Sequence, residues 1–351
     1  MSALARLRLS SGAAAMRLLG LPGAARRRFG WLPTVVTWHG VHDGSVPPEH
    51  YRFSTKHVSV DMFRRQLEWL ARHYQVATLS DVETAMTGRG GTKPLAAVTF
   101  DDGYENNLTV AWPVLKALGL PATFFITVNV VEQQRPYDHD RIELALRHTP
   151  RSSVRLQAGN QRLDLRLDGI HARSRAVYAV KAWLSRLPGE QAAEVRRQLD
   201  DQCWDASFLE SNRIAYRPLT WGQVRTLADE GGEIGSHTLS HPHLSQVDDD
   251  QVARELCESR TVLASKSGQR VSRLSYPHGS FDDRTIRAAK AAGYTSAYAT
   301  TMWFRGTAPD PFAFPRTSVS GGAPFGLFVV TVSRALRLIG RGGGEGARAA
   351  D

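Results

Sequence analysis

Short β-prone runs alternate with amphipathic helical stretches along most of this chain, and no other feature restricts its fold so strongly. Leu95–Phe100 is an apolar run of strand length, Glu105–Leu118 follows as a helix, and Ala122–Val128 reads as the next strand. Thr34–Trp38, Glu233–Ser236, Arg273–Tyr276 and Tyr294–Ala299 are further strands, with helices over Asp61–His73, Asp249–Ser265 and Asp282–Ala292. In the first of these helices Met62, Phe63, Leu67 and Leu70 recur at helical spacing. Ser80-Asp-Val-Glu83 and Thr220-Trp-Gly-Gln223 have the form of capping boxes that open helices. Alternation of this kind builds a parallel sheet covered by helices, so an α/β fold is expected. At 351 residues, 42% of them hydrophobic, the chain has the material for one large domain with an embellishment.

The alternation breaks between Val131 and Arg217. This stretch is charged and mostly helical, with Arg141–Arg147, Ser174–Leu187 and Glu190–Leu199 as helices and a hairpin around Val154–Leu167. It is too long for a plain loop, so residues 132–217 are expected to be an insertion into a domain spanning 31–320. Because it follows the C-terminal end of a strand, it should emerge on the active-site face, as a lid or a substrate-selecting subdomain. Tyr137-Asp-His-Asp140 near its start reads as a solvated turn, with a sugar contact as the alternative.

Two motifs carry the chemistry. Val98-Thr-Phe-Asp-Asp-Gly103 ends a strand in two carboxylates and a glycine, and Ser236-His-Thr-Leu-Ser-His241 places two histidines four residues apart. Successive strand residues face opposite sides, so Asp101 and Asp102 can share a site only where the backbone turns, which Gly103 makes cheap. One helical turn would bring His237 and His241 to a common face. Two imidazoles and a carboxylate suit a divalent metal with open positions, and such an ion acidifies water and polarises a carbonyl. The second carboxylate is then placed to act as general base. Alone, the Asp-Asp-Gly reads as an ordinary turn, and the HxxxH is weak because the glutamate of the H-E-x-x-H metalloprotease pattern is missing. The two together, each beside a strand, point to a metallohydrolase.

Thr99-Phe-Asp-Asp-Gly103 and His237-Thr-Leu-Ser-His241 resemble the first two motifs of the polysaccharide deacetylase family, carbohydrate esterase family four. Pro113–Phe125, Glu233–Ser236 and Ser275-Tyr-Pro-His-Gly279 also look like the family, and the likeness covers most of 34–130 and 216–320. It implies a distorted, incomplete (β/α) barrel with its site at the C-terminal strand ends. It implies that Asp101 is the general base and that Asp102, His237 and His241 bind the metal. Zinc is the ion expected, with cobalt or nickel as alternatives. Many members have an arginine where this chain has Ser275, and Arg316 of Phe314-Pro-Arg-Thr is expected to supply that charge from another strand. The backbone N–H of His278 would stabilise the oxyanion. No histidine follows His278, so the family's C-terminal acid is absent from its usual place. His39, in Val35-Val-Thr-Trp-His-Gly-Val41, is expected to be the general acid, as in the rearranged branch that includes the poly-N-acetylglucosamine deacetylases. An ordinary histidine pKa near 6.5 suits that task. His42 is the fallback, and His243 is expected to lie in a loop.

The resemblance implies removal of an acetyl group from an N-acetylated sugar, in a glycan or on a lipid or nucleotide carrier. O-deacetylation, hydrolysis of a cyclic amide, and a catalytically silent glycan-binding protein are the alternatives. The net charge of +10 comes mostly from arginine. The arginines are dispersed and no nucleic-acid motif accompanies them, so no nucleic-acid partner is expected. Residues 1–30 are read as a basic arm, amphipathic or disordered, without the uninterrupted apolar stretch of a secretory signal. Within 321–351, Phe325–Ile339 is apolar but too short and too charged to span a bilayer. It is read as an amphipathic helix, packed on the barrel or lying on a membrane, ahead of a disordered Gly/Ala/Arg tail. A cytoplasmic protein, peripheral at an inner membrane, is the expected location. Cys203 and Cys257 have no metal-site spacing and fit a reducing compartment.

Overall fold

The structure, a computed structural model, describes residues 3–44, 56–87, 93–211, 213–300 and 310–339. The Gly/Ala/Arg tail therefore lies outside the described residues. Twelve strands occur among those described: β1 (Thr34–Trp38), β2 (Gly40–His42), β3 (His57–Ser59), β4 (Gln75–Val76), β5 (Leu95–Phe100), β6 (Thr123–Ile126), β7 (Ser153–Ala158), β8 (Gln161–Arg166), β9 (Glu233–Ser236), β10 (Arg273–Ser275), β11 (Ser296–Ala299) and β12 (Phe314–Ser318). Seven of them close into a ring in the order β1-β12-β11-β10-β9-β6-β5, with β5 returning to β1. All these pairings are parallel. The result is a (β/α) barrel one strand short of the complete form.

Side-chain alternation along the strands divides the apolar residues into two groups. Val36, Trp38, Val98, Phe100, Phe124 and Ile126 point outward and join the large core beneath the surrounding helices. Phe63 and Leu67 of the Val60–His73 helix belong to this core, and Phe63 meets the Trp38 ring edge-on at 5.5 Å. Each such large side chain contributes roughly 1.5–3 kcal/mol on burial. Val35, Ala97, Phe125, Tyr298 and Phe314 point inward and fill the barrel. Gly235 lets them in: a Cβ there would stand 2.5 Å from the Phe125 ring.

The N-terminal end of the barrel is plugged by the helix Leu79–Thr87, whose Leu79 and Val82 join the interior cluster. The expected Ser80–Glu83 capping box does not form. Thr78 and Asp81 close a reciprocal pair two residues earlier, which frees Glu83 to reach under the barrel. There it accepts hydrogen bonds from Arg273 Nε at 2.9 Å, Arg273 Nη2 at 2.8 Å, Ser296 at 2.5 Å and Tyr298 at 2.6 Å. Glu233 pairs with the remaining guanidinium nitrogen and accepts the Thr123 hydroxyl at 2.6 Å.

The basic arm forms two helices, Ala3–Leu18 and Leu21–Phe29. Phe325–Val332 is also helical, and its Phe328, Val329 and Val332 enter the main core. Its Val330 is covered by Ala13, Ala25 and Ala335. Of the two readings of this apolar segment, packing on the barrel is the one seen.

Gln134–Pro218 forms a compact unit of its own. Helices Asp138–His148, Gly169–Leu184 and Gly189–Cys203 and the antiparallel β7–β8 hairpin bury Ile142, Leu156, Val180, Val195 and Leu199 together. Arg173 donates to the carbonyls of Leu146, Arg147 and Thr149, capping the C-terminus of the first helix. Tyr137 and Asp140 are buried rather than solvated, at the start of that helix. Cys203 is buried in this unit and Cys257 is exposed in the other; both are free thiols.

Candidate active site

The inward parity of the strands delivers most of the site. Ala97 and Thr99 face inward on β5 and Asp101 follows in phase; Val35 and Thr37 precede His39 in the same way on β1. Phe314 precedes Arg316 on β12. At the barrel's C-terminal mouth Arg316 and Asp101 meet. Arg316 donates to both oxygens of Asp101, at 2.8 and 2.6 Å, and to the Ser275 hydroxyl at 2.6 Å. It also reaches Thr37 and Thr99, both at 3.3 Å, and stacks over the Phe125 ring at 5.2 Å. Arg316 thus brings a guanidinium to Asp101 from β12 and hydrogen-bonds the shorter Ser275 side chain.

Asp102 would continue outward if the strand continued. Instead Asp102 and Gly103 both adopt left-handed backbone angles, with φ of 78° and 76°, and the turn swings the carboxylate to the mouth. One oxygen of Asp102 lies 3.5 Å from His237 Nε2 and 3.6 Å from His241 Nε2; the other accepts Lys56 Nζ at 3.0 Å. Ligand atoms of Asp102, His237 and His241 lie within 4.8 Å of one another. Ligands about 2.0–2.1 Å from a tetrahedral ion stand about 3.3 Å apart, so the spacing fits a divalent metal. His237 Nδ1 is engaged by the Ser275 carbonyl at 2.8 Å, which leaves its Nε2 facing the other two ligands.

The two histidines do not share a helical turn. Residues 237–241 form a loop in which Thr238 and His241 have φ of 67° and 64°. The i, i+4 spacing works through two left-handed residues rather than through a helix, and buried Glu255 holds the loop in place. It accepts the backbone N–H groups of Leu239 at 2.9 Å and Ser240 at 2.8 Å, and the Ser240 hydroxyl. Glu255 was not foreseen, although a signal existed. It sits on the apolar stripe of the Asp249–Ser267 helix with Val252, Leu256 and Leu263. Lys56 left no comparable mark.

His39 follows the end of β1 and is partly exposed. Its main chain is fastened by an unforeseen feature: the expected Glu105–Leu118 helix contains a π-turn at Asn107–Ala111. Asn107 Nδ2 donates to the His39 carbonyl at 2.8 Å, and Asn106 Oδ1 accepts the Val41 N–H at 3.1 Å. π-turns of this sort occur frequently at functional sites. His42 lies on β2 opposite Ser59, half-buried. His278 has φ of 57°, and its ring stands 4.5 Å from that of His241. His243 is in a loop as expected, and its ring stacks on His278 at 3.9 Å.

Burial alone would push the Asp101 carboxyl up, but the Arg316 guanidinium, with help from His237, holds it below its ordinary value. Burial opposes ionisation of Asp102 too; Lys56, then His39, override it and leave the carboxyl well below its usual range. His39 contributes at both carboxyls, after Lys56 at Asp102 and more weakly than Arg316 and His237 at Asp101. Burial lowers His237 and, more strongly, His241, which keeps both imidazoles neutral and ready to ligate.

The comparisons with known proteins agree with this geometry. The sequence profile described as polysaccharide deacetylase matches residues 88–163 and 176–297. YxkH of Bacillus subtilis, whose name assigns it to the polysaccharide deacetylases, is 21% identical over 76% of this chain and 68% of its own length. The poly-β-1,6-N-acetyl-D-glucosamine N-deacetylase of Escherichia coli is 34% identical, but over 25% of this chain and 13% of that enzyme. Among solved structures, the Streptococcus pyogenes deacetylase PplD in complex with acetate aligns with a TM-score of 0.56 at 17% identity, covering 85% of this chain and 97% of that one. IcaB from Ammonifex degensii aligns with a TM-score of 0.51 at 16% identity, covering 86% and 97%. At such identities these two show a common fold. Since the profile takes in more than half of the residues, including the Asp101–Asp102 and His237–His241 motifs that meet at one barrel mouth, the chain belongs to the polysaccharide deacetylase family.

Proposed function

We propose that this protein is a metal-dependent hydrolase that removes the acetyl group from an N-acetylated sugar, releasing acetate and a free amine. One observation carries the reading: a carboxylate clamped by a buried arginine stands beside a second carboxylate and two neutral histidines spaced for a single metal. Asp102, His237 and His241 would hold that metal, zinc by preference, since two imidazoles and one carboxylate suit zinc, cobalt or nickel. When bound, it polarises the acetyl carbonyl and acidifies water.

The chain's own residues do the rest. Asp101 takes the proton of the attacking water as general base. Arg316 keeps Asp101 ionised and fixes both its oxygens. The His278 N–H is assigned to the oxyanion, in a turn whose left-handed angle is consistent with a functional constraint. His39, whose charge acts on both carboxylates and whose carbonyl is held by Asn107, protonates the departing amine. The name of the E. coli relative supports an N-acetylglucosamine-containing substrate. A free glycan and a lipid- or nucleotide-linked sugar at the inner face of a membrane both fall within this reading.

The test is acetate release from N-acetylglucosamine oligomers and carrier-linked N-acetyl sugars, before and after chelation, with zinc or cobalt returned. Release that stops on chelation and resumes with metal is the expected result, and the substrate that responds names the class. Unchanged release after chelation, with metal shown to be gone, would overturn the metal assignment. A loaded protein that binds the glycans but frees no acetate would make it a binding protein.

A further inference from the structure

The terminal helices leave large apolar side chains at their ends in water. Ala3–Leu18 and Leu21–Phe29 contribute small residues to the interior, Ala13 and Ala25, packed on Val330 and Ala335. Met16, Leu21 and Phe29 pack partly against these, but large apolar residues at the helix ends face solvent: Leu18 is 90% exposed, Leu19 75% and Trp31 55%. Leu338 of the adjoining Ala335–Ile339 turn is also exposed. Among the side chains described, only one other large hydrophobic, Tyr178, is so exposed. A concentration of this kind on one part of a surface marks an interaction site.

The charge around these residues is of one sign. Residues 1–42 contain six arginines and neither aspartate nor glutamate. Arg17, Arg27 and Arg28 are exposed, beside the leucines and between them and Trp31. Leucine and tryptophan set among arginines on short helices match the boundary between headgroups and acyl chains, where apolar residues enter the hydrocarbon and cations meet lipid phosphates. A nucleic acid would use the arginines but leave the leucine pair in water. No described helix is long and apolar enough to cross a membrane, so the contact would be peripheral.

We infer that the Leu18–Leu19 turn and the Leu21–Phe29 helix form a docking surface for an anionic lipid bilayer. The full-length protein is to be sedimented with vesicles of phosphatidylcholine alone and of phosphatidylcholine mixed with phosphatidylglycerol. Binding is expected only to the mixed vesicles. It should weaken as salt rises from about 0.1 to about 1 M, over which the screening length falls from about 10 to 3 Å. Leu18→Asp/Leu19→Asp, at positions already in water and therefore compatible with folding, should lower partitioning at least about tenfold. Arg27→Glu/Arg28→Glu should lower it similarly. No binding to mixed vesicles, or equal binding by the leucine variant with an unaltered circular dichroism spectrum, overturns the inference. So does a solution dimer that the leucine variant converts to monomer, which would make the surface a contact between copies. Retention on duplex DNA with no vesicle binding would assign the arginines to nucleic acid instead. None of these readouts depends on deacetylation, so the docking surface and the enzymatic reading fail separately.

Discussion

The two ends of the barrel each bury an arginine against carboxylates, and they do so to different purposes. At the N-terminal end, Glu83 accepts four hydrogen bonds and Arg273 is shared between Glu83 and Glu233. Both Glu83 oxygens are occupied by protein donors, so the cluster has little capacity for chemistry and closes the barrel. At the C-terminal end, Arg316 and Asp101 are more deeply buried, with side-chain exposures of 0% and 3% against 11% and 25% for Arg273 and Glu83. Asp101 keeps beside it Asp102, His237 and His39, groups that titrate or ligate. Backbone strain follows the same division. Of six non-glycine residues with positive φ among those described, four are Asp102, Thr238, His241 and His278, all at the mouth. Strain held only where the surrounding structure enforces it is a property of functional sites.

The comparison is tested first where the effect should be largest. Asp101→Asn retains the shape but removes the base, and kcat should fall about 10²–10⁴-fold with circular dichroism unchanged. Full activity in this variant would refute the general-base role. Arg316→Ala leaves Asp101 buried without its partner and should cost about 3–5 kcal/mol in urea unfolding, besides lost turnover. If the loss is under about 1 kcal/mol, the pair is less isolated from solvent than its geometry states.

Glu255→Gln sharpens the contrast without touching any proposed ligand. It weakens the clamp on the His237–His241 loop and should lower zinc affinity about 10–100-fold in competition with a chelator. At the other end, Glu83→Gln should reduce stability by about 1 kcal/mol, since both partners are partly solvated and Glu233 still holds Arg273. Acetate release per folded molecule should not change. Burial pushes the Glu83 carboxyl up, but bonds from Arg273, Ser296 and Tyr298 outweigh it and leave the pKa lowered. Its stabilisation is therefore present above the unfolded value of about 4.3 and lost as pH falls through the lower native value. Unfolding midpoints measured from neutrality downwards should converge for the two proteins in that acid range. A gap that persists at the lowest pH would mean that Glu83 acts through packing and not through charge.

Much of this was legible in residue order, for a local reason. The period-two alternation that predicts β5 also places Asp101 in phase with Ala97 and Thr99, and the corresponding phase on β1 and β12 places His39 and Arg316. The turn at Gly103 and the capping box at Thr220–Gln223 depend on neighbours within a few residues, and the latter forms as expected. Where a competing partner lay far off in sequence, local signals misled. The Ser80–Glu83 pattern lost its glutamate to Arg273, 190 positions away. The helical spacing of His237 and His241 was overridden by a carboxylate on a following helix.

By itself, then, the sequence determined which side chains face the barrel axis and which chemistry they carry, because both follow from backbone geometry within a strand and from residue type. The tertiary structure alone decided which of them meet. Ring closure between β1 and β5 and the arrival of β12 beside β1 bring Arg316 within 2.8 Å of Asp101 across 215 residues. The π-turn that fastens His39, the Lys56 partner of Asp102 and the left-handed loop under Glu255 arose at the same level. Each exists because a buried polar group must find its hydrogen-bond partner wherever the fold supplies one.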